Sequence, residues 1–241
     1  MDIKQKSIEI YPQNLNYQTF KDDHLGGCNV FGDPGTECPK LWKYVVDKYN
    51  IKSVLDVGCG FGFHLKYFKD FLNLKVKGIE GSAKVQKLSF FPDEIVAHDY
   101  TTGKLILDET YDFCWSVEFV EHVEGQFAEN FISNFKNCKY LIITHATPGQ
   151  GGHHHVNEQS EEYWVNLLEK HGLIFDKEET DKIKELALED INDFRIWYKT
   201  PKETRQKRGV ACEYFPSESN PDELHPHVVH NGLFFKNKNL I

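Results

Sequence analysis

The chain has 241 residues and carries 37 acidic against 28 basic side chains, a formal charge of −9 with its 12 histidines neutral. That length suffices for one α/β domain with a sizeable core, and the acidic balance argues against broad, sequence-independent nucleic-acid binding. No run of about 18 apolar residues is present, so no membrane span is expected; without an apolar signal core, and with six cysteines lacking any Cys-x-x-Cys pair, the chain reads as a cytoplasmic protein with reduced thiols.

Residues 1–50 begin polar and become rich in glycine and proline over 26–34, after which Pro39 to Tyr49 has the spacing of an amphipathic helix with proline in its first turn. Ser53 to Val57 is a short apolar, β-branched run expected to form the first strand. It stops in Gly58-Cys59-Gly60-Phe61-Gly62, with glycine at every second position, and helical spacing resumes through Phe71. A strand, a glycine turn and a helix start in that order make half of a nucleotide-binding βαβ unit, and glycine lets the backbone approach a ligand closely. The dinucleotide fingerprint needs glycine at position 63; Phe63 stands there, which disfavours a nicotinamide cofactor.

Lys75 to Glu80 reads as a second strand ending in an acid, placed to accept two hydrogen bonds from ribose hydroxyls. A third strand over 94–97 leads into His98-Asp99-Tyr100, and Tyr111 to Val117 supplies a fourth, followed by a helix expected over 118–135. The fifth strand spans 140–144. Ser160 then caps a helix to His171 with Glu161 and Glu162 in the first turn, Gly172 closes it, and Leu173 to Phe175 forms a sixth strand. A helix over 178–198 and a basic run over 199–208 (Lys199, Lys202, Arg205, Lys207 and Arg208 against Glu203) belong to an insertion, 177–230, before the last strand at 231–237. Such an insertion leaves the carboxyl edge of the sheet, where ligands bind in open α/β folds, and is placed to form a lid or an acceptor wall.

The stretch Asp56-Val57-Gly58-Cys59-Gly60-Phe61-Gly62 resembles the first motif of the class I S-adenosylmethionine (SAM) methyltransferases, in which this loop wraps the methionine end of the cofactor. The resemblance implies an α/β, Rossmann-like fold in one domain over 1–241: a seven-stranded, mostly parallel sheet with the last strand antiparallel and helices on both faces, with 51–176 as the SAM-binding core. It further implies cofactor contacts from Asp56, Gly58, Cys59, Gly60, Gly62, Glu80 and Gly81. Asp99 would receive the adenine amino group next to Tyr100, and Trp115, Ser116 and Val117 would close the site, with Thr36 and Trp42 beside it.

On a continuous helix Glu118, Glu121 and His122 share one face, and two carboxylates with an imidazole can hold a divalent cation such as magnesium. Glu-x-x-Glu-His after the fourth strand, with His153-His154-His155 ahead of Tyr163-Trp164, resembles the metal-dependent 2′-O-methyltransferases of small-RNA 3′ ends. Its first half resembles the polyprenyl-dihydroxybenzoate O-methyltransferases. The resemblance implies a metal held by Glu118, Glu121, His122 and His155, with His154 or His153 as substitutes, gripping a vicinal diol. Glu121 and the histidine triplet are thus the candidate catalytic residues, and without metal His153, His154 or His155 would be the general base. Acidic residues at a helix start can equally complement its dipole, and His98, His145 and His171 read as structural. The expected reaction is O-methylation of a small polyhydroxylated acceptor such as a sugar or glycan. One alternative is an RNA ribose hydroxyl with 199–208 on the phosphates; another is a non-catalytic SAM-binding subunit.

Overall fold

Near-continuous burial along the central strands builds a sheet covered on both faces. The computed structural model of the protein describes residues 24–27, 32–199 and 225–241, and all structural statements refer to these. Its strands are β1 Ser53–Val57, β2 Lys75–Glu80, β3 Ile95–Ala97, β4 Tyr111–Ser116, β5 Cys138–Ile143, β6 Leu173–Phe175 and β7 Leu233–Asn237. They lie in the order β3-β2-β1-β4-β5-β7-β6. The pairings β1–β2, β1–β4, β2–β3 and β4–β5 are parallel, and β7 runs antiparallel to β5 and β6. The sheet is therefore the expected one.

The helices are α1 Pro39–Tyr49, α2 Phe63–Asp70, α3 Ala83–Leu88, α4 Ala128–Phe135, α5 Glu161–Lys170, α6 Lys177–Lys199 and α7 His227–Asn231. Val54, Phe113, Trp115, Ile142 and Phe234 face one core with Trp42 of α1, Phe68 of α2, Ile183 of α6 and Val228 of α7. Their neighbours Leu55, Cys114, Leu141, Ile143 and Phe235 face the other, with Phe131 of α4 and Trp164 of α5. Near-continuous apolar strands covered on both sides are what a largely parallel sheet requires.

One expectation changes. The helix foreseen over 118–135 forms only as α4; before it come a left-handed Glu118 at φ 55° and 3₁₀ turns at Val120–His122 and Gly125–Phe127. Its backbone groups are taken by other segments: the Val120 carbonyl accepts from Asn157 Nδ2 at 3.3 Å, and the Glu121 carbonyl accepts from the Val156 and Asn157 amides at 2.9 and 3.1 Å. Tertiary partners have replaced the intrahelical ladder, so Glu118, Glu121 and His122 do not share a helix face.

The first part of the 177–230 insertion is a packed layer. Ile183, Ala187, Ile191 and Phe194 of α6 are buried, and Asp190 accepts from the Lys40 and Leu41 amides at the start of α1, which satisfies donors a helix leaves open. Residues 200–224, including the basic run after Lys199, and Cys28 and Cys212 lie outside the described residues. The other four cysteines, Cys38, Cys59, Cys114 and Cys138, are buried and form no disulfide among the described residues. Among the described residues, no helix is long and apolar enough to cross a membrane.

Candidate active site

The glycine turn between β1 and α2 holds Gly58, Gly60 and Gly62 at φ 82°, 52° and 82°, a region open to glycine at little cost. At Gly58 there is no room either, since a Cβ would lie 2.7 Å from the Phe119 ring. Glu80, at the end of β2, braces the turn: its carboxylate accepts from the Gly60 amide at 2.9 Å and from the Ser82 amide at 2.9 Å. Over this turn opens a cavity of about 330 Å³ lined by Gly58, Cys59, Gly60, Glu80, Gly81 and Val117. These are six of the expected cofactor contacts, and Thr36 also lines it.

The other expected contacts lie around that lining. Asp56, Tyr100, Trp115 and Ser116 are buried; Ser116 Oγ donates to the Val57 carbonyl at 3.0 Å and Tyr100 to Asn134 at 2.8 Å. Gly62 caps α2. Asp99 receives Thr101 through its amide and hydroxyl, both at 2.8 Å, and His24 Nε2 at 2.7 Å. Burial works to raise the Asp99 carboxyl, but these partners hold it below its ordinary value.

Histidine 64, which sequence reasoning passed over as one more residue of α2, lines the cavity within a directed chain. Trp115 Nε1 donates to His64 Nδ1 at 3.2 Å, so the other nitrogen carries the proton and donates to Thr36 Oγ1 at 2.9 Å; Thr36 in turn donates to the Asp33 carbonyl at 2.7 Å. Trp42 sits edge-on to both His64 and Trp115, supporting this wall without lining the cavity.

At the opposite end, ligating atoms of Glu121, His122 and His155 all fall within 4.8 Å of one another. Glu121 is fully buried, neither of its carboxylate oxygens has a hydrogen-bond partner, and burial followed by the charge of Glu118 pushes its carboxyl up to about 8. Burial also drives His122 down to about 4, leaving a neutral ring whose Nδ1 donates to the His154 carbonyl at 3.2 Å. Its second nitrogen therefore carries a lone pair. The ring of His155 lies 5.1 Å from that of His122.

Glu118 is not in this cluster. Its Oε1 lies 2.6 Å from His227 Nδ1, and His227 Nε2 lies 3.2 Å from Asp33 Oδ2. Burial alone would lower His227, but the hydrogen bonds to Asp33 and Glu118 outweigh it and raise the ring to about 10. Nothing in the sequence pattern marks Asp33 or His227, which lie 194 residues apart. His153 lines the cavity, while His154, at φ 54°, turns to meet the His24 carbonyl at 3.0 Å. His98, His145 and His171 are absent from the lining, and His171 instead pairs with Glu129 at 2.9 Å.

Residues 24–27 strap the two ends together. Leu25 covers Gly81, and Gly26 lies so close to His122 that a Cβ would be 2.4 Å from its ring. Among the described residues the lining holds four carboxylates, Asp33, Glu37, Glu80 and Glu118, and neither lysine nor arginine. Such a lining favours cationic over anionic groups; His122 and His155 are part of it, whereas Glu121, fully buried beside them, is not.

The family model described as a methyltransferase domain matches residues 55–139, from β1 into β5. Among solved structures, the methyltransferase domain of a bacterial CtHen1 is 17% identical over 58% of this chain and 89% of its own, with a TM-score of 0.45. A SAM-dependent methyltransferase from Archaeoglobus fulgidus is 20% identical over 59% and 70%, at 0.44. The phospholethanolamine N-methyltransferase 2 of Haemonchus contortus is 16% identical over 80% and 51%, at 0.46. No curated protein sequence matches the chain.

Proposed function

We propose that this chain, a class I S-adenosylmethionine-dependent methyltransferase, methylates a hydroxyl of a small, uncharged polyhydroxylated acceptor such as a sugar or glycan, with a divalent cation held beside the cofactor. The observation that carries this reading is the buried Glu121 carboxyl, without a hydrogen-bond partner among the described residues, clustered with His122 and His155, both of which line the cavity. Buried polar groups are ordinarily satisfied, and a cation is the partner this donor set fits: two imidazole nitrogens with carboxylate oxygen suit zinc or manganese better than magnesium.

In this reading the glycine turn and Val117 cradle the methionine end of SAM, Glu80 receives the ribose hydroxyls, and the acidic lining favours the sulfonium. Glu121, His122 and His155 would hold the cation, with Glu118 beside them. When bound, the cation lowers the pKa of an acceptor hydroxyl. The hydroxyl oxygen attacks the methyl carbon, the carbon–sulfur bond breaks with its electron pair staying on sulfur, and the released proton goes to His153 at the cavity wall. The chain's main contribution is alignment of oxygen, methyl and sulfur with water excluded.

A panel of polyols and glycans assayed for methyl transfer, with and without excess chelator and with metal restored, tests the proposal. Transfer to a neutral polyol that chelator abolishes and metal restores is the expected result; full transfer in chelator removes the cation and leaves a histidine base alone. An RNA acceptor is the competing outcome, and steep loss of acceptor binding between low and moderate salt would establish it. The absence of lysine and arginine from the described lining favours the neutral acceptor.

A further inference from the structure

Glu118 is fixed at both ends. Its backbone is left-handed, at φ 55°, one residue beyond Val117 at the end of β4, a conformation a non-glycine residue adopts at a cost and only where its surroundings hold it. The Glu118 amide donates to Thr144 Oγ1 at 2.9 Å, which anchors the start of the side chain. The far end is held by His227 Nδ1 at 2.6 Å. Since both His227 nitrogens face carboxylate oxygens, both donate and the ring is a cation between two anions.

The clamp itself cannot drift. Asp33, on the other side of His227, accepts from the Gly35 amide at 2.7 Å and caps the 3₁₀ turn Pro34–Thr36. That turn is pressed against the start of α7, so that a Cβ on Gly35 would lie 2.1 Å from the His225 carbonyl oxygen and 3.1 Å from His227. Three segments distant in sequence therefore converge on one carboxylate. Glu118 lies close enough for its charge to act on the Glu121 carboxyl, and His227, itself held by Asp33, fixes the Glu118 carboxylate in that place.

We propose that His227 is a positioning residue that aims Glu118 at the Glu121–His122–His155 cluster, making Glu118 the fourth protein group available to a bound cation. The inference rests on the cation reading above and adds to it a partner behind the ligand, supplied by the segment before β7. Partners of this kind change metal affinity by about 10–100-fold when removed.

Manganese titrated into the cofactor-free full chain, with free Mn²⁺ followed by electron paramagnetic resonance, provides the test. His227→Gln is expected to weaken Mn²⁺ binding by about 10–100-fold while SAM affinity, measured by calorimetry, stays within about twofold. Glu118→Gln is expected to weaken it similarly, and the double variant to be no worse than Glu118→Gln alone, because His227 acts through Glu118. A merely structural role would lower both affinities and add in the double variant, which overturns the proposal, as does unchanged Mn²⁺ affinity in His227→Gln. Should His227→Gln not fold, Asp33→Asn loosens the clamp from its other side, and a smaller loss cancelled by Glu118→Gln is the expected result. Failure of the unmodified chain to bind Mn²⁺ overturns the cation reading itself, whereas binding that ignores His227 overturns only the clamp.

Discussion

The two ends of the cavity are built by opposite means. At the glycine turn one contiguous strand–turn–helix presents backbone, and its polar groups are already engaged: Glu80 accepts two amides and Asp99 accepts Thr101 and His24. At the other end, side chains from four separate segments meet, Asp33, Glu118 to His122, His155 and His227, and Glu121 is left buried without a partner. A preorganised backbone cradle suits a cofactor that is always the same molecule. A cluster of side chains that includes a buried carboxyl with no hydrogen-bond partner is the end where a second bound group would complete the site.

The largest expected effect separates the two ends. Glu121→Ala should cut methyl transfer by more than about a hundredfold and leave SAM affinity intact; an equal loss of SAM binding would show that the ends are one unit. Gly58→Ala is the reverse experiment. Left-handed strain of about 1–2 kcal/mol and overpacking against Phe119 of about 1–3 kcal/mol should together lower stability by about 2–5 kcal/mol in a thermal melt and abolish SAM binding, while Mn²⁺ affinity survives in the folded fraction. Loss of both would again join the ends.

Smaller effects should follow at the strap. Gly26→Ala cannot keep the observed approach to His122, so it should weaken Mn²⁺ binding severalfold, of the order found for groups behind metal ligands, with SAM affinity unchanged; the same titration reads it. The smallest expected effect is at His24, whose half-exposed pairing with Asp99 is worth at most about 1 kcal/mol. Removing it in His24→Ala frees Asp99 for the adenine amino group, and calorimetry should show SAM binding tighter by up to about fivefold. Weaker binding would mean that Asp99 does not face the cofactor.

How much of this could be read in the sequence follows the same division. The seven strands, the glycine turn and Glu80 are written in local patterns: apolar runs, a two-residue glycine spacing and an acid at a strand end. Spacing on a helix put Glu121 and His122 together with Glu118, and the resemblance added His155; that helix does not form, because Asn157 and Val156 take the carbonyls it would use. Residue types were informative there although the geometry was not. Asp33, His64 and His227 left no periodic trace, since each acts through a partner tens to hundreds of residues away. The five-residue α7 is too short to have a helical signature of its own.

The reversal of β7 has a consequence for how the chain is threaded. In a parallel strand the incoming segment arrives at the amino edge of the sheet, away from bound ligands. Because β7 runs against β5, with Leu233 opposite Ile143, its first residue lies level with the carboxyl end of β5, and the segment just before it is delivered to the ligand edge. The polarity of one strand thus decides whether His227 can reach Glu118 at all. A last strand laid in the other direction would keep the same apolar faces, Phe234 on one side and Phe235 on the other, yet carry α7 to the wrong rim and leave Glu118 without its counter-charge.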